Sequence, residues 1–273
     1  MLSAPDFEYV TRLLLENAAI RINTTQEYLV RSRLEPLAKQ SGLPSLSALV
    51  EELRKQPYGE LHRRVVEAMT TNETSFFRDV HPFETLKVAV IPEMLRRKTD
   101  RTFRVWSGAC STGQEPYSLA MMLTEMPALK DYRISILATD LARMTLEKAE
   151  QGIYTALDVG RGLPARALAQ HFERQGTSFR VKPQLRALIE WRQLNLAGKW
   201  PSMVPFDLIL MRNVLIYFSP TTTESILRNA RNVLQNHGAI FLGTTENMLG
   251  LNTGLESVTH GKTIYYKRAG VRP

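Results

Sequence analysis

Along the first seventy residues apolar side chains recur every three or four positions. Phe7, Val10, Leu13 and Leu14 follow Asp6; Val30, Leu34 and Leu37 form a second set; Leu46, Leu49 and Leu53 follow Ser45; Val65, Val66 and Met69 form a fourth. Such spacing lays a single apolar stripe along a helix. Gly42-Leu43-Pro44 and Gln56-Pro57-Tyr58-Gly59 interrupt the pattern, as turn-forming residues do. The stretch predicts about four short helices in a domain over residues 1–75, with a connecting segment over 76–90.

From about residue 100 the period changes. Phe103–Ser107, Arg133–Thr139, Phe206–Met211 and Gly238–Gly243 are short apolar runs of strand length, and amphipathic segments at Glu115–Met126, Leu141–Glu150 and Thr221–Leu234 lie between or beside them. Strands alternating with helices predict a doubly wound α/β sheet over 91–273. Leu255–Val258 and Thr263–Lys267 flank His260-Gly261-Lys262 and predict a terminal antiparallel hairpin. Thr177–Val181 and Leu188–Arg192 fall outside the alternation and predict a small β excursion over about 174–192.

Composition narrows the class. The chain has 273 residues, 44% of them hydrophobic and 23% charged, and one cysteine, Cys110. These are the proportions of a globular protein, and one cysteine excludes an internal disulfide. No apolar run approaches the ~18 residues of a membrane span, and the acidic start, MLSAPDFEYV, is unlike a signal peptide. Cytoplasmic residence without membrane insertion is the expectation. The net charge of +8 is uneven: residues 1–80 net −1 and residues 81–273 net +9. A basic surface fits an anionic partner as well as a merely solvated face. No group of His, Cys and carboxylates has metal-ligand spacing.

Gly108-Ala-Cys-Ser-Thr-Gly113 follows the first α/β strand, where open sheets bind their ligands. Its glycines match a P-loop in spacing, but Gln114 and Glu115 stand where Lys and Ser/Thr belong, and Cys110 replaces the second glycine of a dinucleotide fingerprint. An adenosine ligand without phosphate remains. S-adenosylmethionine fits, because its sulfonium and ammonium are cationic and Glu115 is acidic. Asp140 ends the second strand and suits either ribose hydroxyls or the cap of the next helix.

Three longer blocks go further: Thr70-Thr-Asn-Glu-Thr-Ser-Phe-Phe-Arg-Asp79, Gly108-Ala-Cys-Ser-Thr-Gly-Gln-Glu-Pro-Tyr-Ser118 and Arg212-Asn-Val-Leu-Ile-Tyr-Phe218. In this order and at these separations the chain resembles the CheR family of chemotaxis receptor glutamate O-methyltransferases, from the helical region to Gly243-Thr-Thr-Glu-Asn247. The resemblance implies a Rossmann-like S-adenosylmethionine-dependent methyltransferase domain with a small β-subdomain, preceded by an all-helical domain. It implies that Asn72, Thr74 and Arg78 contact S-adenosylmethionine, Glu115 faces its methionine end and Asp140 holds the ribose. Asn195 and Leu196 would border adenine, and Asn213 and Val214 would complete the pocket. Gln114-Glu115 departs from the Glu-Glu common in the family, and the short β excursion makes a tether to a receptor's C-terminal peptide doubtful.

The implied reaction is methyl transfer to glutamate side chains of methyl-accepting chemotaxis receptors, by a monomer that uses no metal and binds no nucleic acid. A glutamate carboxylate is ionised near neutrality and needs no general base. Arg78 is the candidate guide for that carboxylate, and Tyr217 the candidate neighbour of the methyl group. Arg31, Arg33 and Lys39 are basic positions that could meet a receptor, although Arg31 and Arg33 do not share a helix face. The rival readings are a nucleic-acid methyltransferase, suggested by the basic charge, and a non-catalytic module that binds cofactor or receptor. Arg212-Asn-Val-Leu-Ile-Tyr217 is not the Asn/Asp-Pro-Pro-aromatic run expected of base methylation.

Overall fold

A computed structural model describes residues 2–270. The chain divides into two compact units, one of residues up to 71 with 217–222, the other of 72–216 with those from 223 onward.

The first unit contains α1 (Ala4–Ala18), α2 (Glu27–Gln40), α3 (Leu46–Lys55) and α4 (Glu60–Ala68). The apolar sets read from the sequence are its core, except that Phe7 is half-buried. Helix α1 begins before Asp6 because the Ser3 hydroxyl accepts the Asp6 amide and Pro5 occupies the first turn. Ser45 caps α3 in the same way, accepting from Ala48 N at 3.1 Å. Of the three basic positions, Arg33 is committed to structure: its Nη1 donates to Met69 O at 2.6 Å and Thr70 O at 3.0 Å, closing the end of α4. Arg31 pairs with Glu35 on the surface, and Lys39 is exposed.

The second unit opens with a helical run, α5 (His81–Thr85), a π turn (Leu86–Val90) and α6 (Ile91–Arg97). Within the stretch expected to connect the domains, 76–90, His81–Val90 is helical. Phe83, Leu86, Val90 and Ile91 of this run are buried in the core of the α/β unit. The chain continues through β1 (Thr102–Gly108), α7 (Gln114–Thr124), β2 (Arg133–Asp140), α8 (Arg143–Gln151), β3 (Ile153–Thr155), α9 (Ala156–Gly160), α10 (Ala165–His171), β4 (Phe172–Gln175), β5 (Ser178–Val181) and α11 (Pro183–Arg186). It ends with β6 (Ile189–Gln193), β7 (Phe206–Met211), α12 (Pro220–Asn232), β8 (Leu234–Leu242), β9 (Leu255–His260) and β10 (Thr263–Arg268).

The main sheet has the order β6-β2-β1-β7-β8-β10-β9. Strands β6, β2, β1, β7 and β8 are parallel; β10 runs antiparallel to β8 and to β9, one place in from the edge. The order reverses between β1 and β7, the crevice where open α/β sheets bind ligands. The small sheet is β3-β5-β4. Of the stretch expected as a β excursion, 174–192, Ser178–Val181 lies in the small sheet with Ile153–Thr155, and Ile189–Arg192 lies in β6, which pairs with β2 through Ile136↔Ile189. Alternation along a strand reveals its two faces and leaves its partner undetermined.

At the amino end of β7, Asp207 is fully buried. It accepts from Lys98 Nζ and His237 Nε2, each at 2.7 Å, and from Arg104 N at 2.8 Å. These bonds tie the chain before β1, β1 itself and β8 to one carboxylate. Burial alone would raise its pKa, but the bonds from His237, Arg104 N and Lys98 outweigh burial and hold it below the ordinary aspartate value.

Candidate active site

The site lies at the carboxyl ends of β1, β2 and β7. After β1 the chain turns through Ala109, Ser111 and Gly113, with φ of +57°, +52° and +91°. Two non-glycine residues in this region of backbone space are a sign of a constrained turn. At Gly113 a Cβ would lie 2.9 Å from Ala149 Cβ and 3.0 Å from Tyr154 Oη, so the position admits only glycine without strain. At Gly108 a Cβ would come 3.2 Å from Met211 Cγ and 3.6 Å from Leu196 Cδ2. The missing side chain thus lets Met211 and Leu196 pack closely against the end of β1.

Asp140 is buried at the end of β2. Its Oδ2 accepts from Ser111 N at 2.8 Å and its Oδ1 from Ala142 N at 3.0 Å. The N-cap of α8 is Ala142, so Asp140 organises the loop instead of capping the helix. Ser111 Oγ donates to Asn72 O at 2.8 Å. Ser111 therefore joins the expected ribose residue to the first motif, whose Asn72 Nδ2 also donates to Thr145 Oγ1 at 3.3 Å. Thr74 is half-buried two residues on.

Glu115 opens α7 and is held on both oxygens. Ser107 Oγ donates to Oε1 at 2.8 Å and Arg212 Nη1 to Oε2 at 3.1 Å. The same guanidinium donates from Nη2 to Asp79 Oδ2 at 2.7 Å and to Arg78 O at 2.9 Å. The Arg212 side chain is 2% exposed, and its Nε is buried without a hydrogen-bond partner. Arg78, Asp79 and Glu115 are thus brought together by one cation. Two carboxylates share this guanidinium, and the Arg78 side chain next to Asp79 in the chain carries a second positive charge.

Phe77, Asp79 and Val80 all have positive φ, at 46°, 68° and 53°. Phe77 N donates to Ser118 Oγ at 2.9 Å, which pins the turn to α7. The Arg78 guanidinium donates to Glu73 O at 3.0 Å and forms no pair with Asp79, whose partner is Arg212.

Leu196 is buried against Gly108. Asn195 is half-buried, with Oδ1 accepting from Ala197 N at 3.0 Å. Asn213 follows β7 with φ +60°, and Val214 is half-buried. Tyr217 ends the short turn Leu215–Tyr217, is 38% exposed, and belongs to the first compact unit. The Cys110 thiol is buried and pushed up by that burial and by the neighbouring Asp140 and Glu115 carboxylates, so it stays protonated and is no nucleophile. Among the described residues no group of His, Cys and carboxylates could hold a metal, and no helix is long and apolar enough to cross a membrane.

Sequence reasoning gave no role to Arg212, Ser111, Asp79 or Glu246. One signal was available: Arg212 is a charge ending the wholly buried run Phe206–Met211, and a buried charge requires a partner.

S-adenosylmethionine fits the donor set at this end of the sheet. Glu115, held by Ser107 at the end of β1, and Asp79 place two carboxylates at this end of the sheet, and acidic groups suit a cationic ligand. Together with five parallel strands and the inserted antiparallel β10, these features define an S-adenosylmethionine-dependent methyltransferase. The family model for the CheR methyltransferase S-adenosylmethionine-binding domain matches residues 72–264, and that for the CheR methyltransferase all-alpha domain matches residues 5–70. The chain belongs to the CheR methyltransferase family. It is 39% identical over 267 residues to chemotaxis protein methyltransferase Cher2 of Pseudomonas putida, and the match covers 96% of this chain and 97% of that protein. It is 40% identical over 268 residues to chemotaxis protein methyltransferase 1 of Pseudomonas aeruginosa, with the same coverage. With the chemotaxis protein methyltransferase of Escherichia coli the identity is 32% over 270 residues, 97% of this chain and 91% of that one.

Proposed function

We propose that this enzyme methylates glutamate side chains in the cytoplasmic domains of methyl-accepting chemotaxis receptors, giving methyl esters. The observation that carries the reading is the match of both family domains, in order and nearly end to end, with chemotaxis methyltransferases among the relatives. In this reading the helical domain serves recognition and the α/β domain the chemistry.

S-adenosylmethionine supplies, when bound, a methyl group on a sulfonium. Asp140 would hold its ribose, Asn195 and Leu196 border its adenine, and Glu115 face its cationic methionine end. Asn72, Thr74, Arg78, Asn213 and Val214 would complete the pocket. Arg78 guides the incoming carboxylate with its guanidinium fork, and Tyr217 borders the methyl group. The nucleophile arrives ionised, so no residue need take a proton. The step annihilates opposite charges, and a site that excludes water favours it.

The test is transfer of radiolabelled methyl from S-adenosylmethionine to receptor-containing membranes, followed by mild alkali. Label that enters receptor and leaves as methanol is the expected result. Cofactor binding without label in any receptor overturns the substrate assignment, and nucleic acid is then the next substrate to assay.

A further inference from the structure

The carboxylate of Glu246 gathers four backbone amides from two strand exits. Its Oε2 accepts from Gly243 N at 2.6 Å and Asn213 N at 2.8 Å. Its Oε1 accepts from Leu215 N at 2.7 Å and Ile216 N at 3.3 Å. Every partner is a donor, so only a group that accepts on both oxygens satisfies them, which an ionised carboxylate does and an amide does not. Gly243 makes room for the arrangement: a Cβ there would lie 2.8 Å from both Asn213 Nδ2 and Glu246 Oε2. The turn so held leaves β7, carries Asn213 in its left-handed conformation, and ends at Ile216, the residue before Tyr217.

We propose that Glu246 is a positioning residue for methyl transfer. It acts through the backbone of Asn213–Ile216, which carries pocket residues Asn213 and Val214 and leads into Tyr217. The inference rests on the methyltransferase reading above. A purely structural tie between the ends of β7 and β8 would stabilise the sheet without setting the geometry of transfer, and the two roles separate by experiment.

Glu246→Gln keeps the shape and can satisfy only one of the two amide pairs. Receptor methylation by the variant is measured at saturating S-adenosylmethionine, affinity for S-adenosylhomocysteine by calorimetry, and amide exchange by mass spectrometry. The expected result is turnover lowered about tenfold or more, since displacements near 1 Å can cost about a hundredfold. Affinity for S-adenosylhomocysteine falls about tenfold, and faster exchange is confined to the segments containing residues 213–216 and 243. Turnover within about twofold of the parent with those amides freed overturns the proposal, as does a loss of activity accompanied by faster exchange throughout β1 and β2. Should the Gln variant not fold, Glu246→Asp retains both acceptors one methylene short, and parent-like turnover in it overturns the proposal. The parent assayed alongside separates the readings: if it labels no receptor the substrate assignment falls, and unchanged S-adenosylhomocysteine affinity in the variant then overturns the clamp.

Discussion

Arg212, just after β7, reaches Glu115 at the start of α7 with Nη1 3.1 Å from Oε2, and this bond joins the exit of β7 to the helix that follows β1. The cation is 2% exposed and its second carboxylate, Asp79, lies at 2.7 Å. Replacing Arg212 with Met removes the charge from two carboxylates that keep only partial access to water. Breaking such a buried pair costs about 3–5 kcal/mol. We expect a loss near the lower end, about 3 kcal/mol, because Asp79 is partly exposed. Urea unfolding of the parent and variant checks it.

Asp140→Ala removes the acceptor of Ser111 N and Ala142 N together with the expected ribose contact. Hydrogen bonds to a charged group are worth about 1.5–3 kcal/mol each. Affinity for S-adenosylhomocysteine should fall by about 30-fold or more in calorimetry. An affinity within about threefold of the parent would remove Asp140 from the pocket.

Gly113→Ala forces a Cβ into contact with Ala149, Trp191 and Tyr154 at 2.9–3.0 Å, on backbone with φ +91°. Conformational strain and overpacking act together here, and the expected destabilisation is about 2–4 kcal/mol. Thermal unfolding reads it directly.

The pH dependence of stability should carry the signature of Asp207. Its folded pKa lies below the ordinary aspartate value. The unfolded chain therefore takes up the proton first as the solution is acidified. The stabilisation is fully present above the ordinary aspartate range, near pH 4, and is lost as pH falls through the lowered folded value. Urea midpoints measured from pH 6 downward should drop in that window. In Asp207→Asn, which leaves Lys98 and His237 without the carboxylate, the curve should start lower and fall less.

Much of this arrangement is legible in the sequence. Val10, Leu13 and Leu14 announce a helix by spacing alone, and Phe206–Met211 announces a buried strand by its unbroken apolar run. The motif around Gly108–Gly113 falls where the crevice is. What escapes is pairing at long range. Leu188–Arg192 alternates as any strand does, and nothing local says that its partner is β2 instead of β5. Asp79 and Arg212 lie 133 positions apart, and their bond depends on two chain segments meeting. The half-buried helical run through Leu86–Val90 looks like a linker because its apolar face has meaning only once the sheet lies beneath it.

The left-handed turn Phe77–Val80 has a consequence for the order in which the enzyme is made. It leaves the ribosome early, yet the guanidinium that holds Asp79 and the Arg78 carbonyl arrives only with β7. Contacts so distant along the chain form late. A nascent chain released before residue 212 should therefore have its helical N-terminal residues folded while residues 77–80 remain open to protease, and the cut should vanish in chains long enough to fold with Arg212 in place.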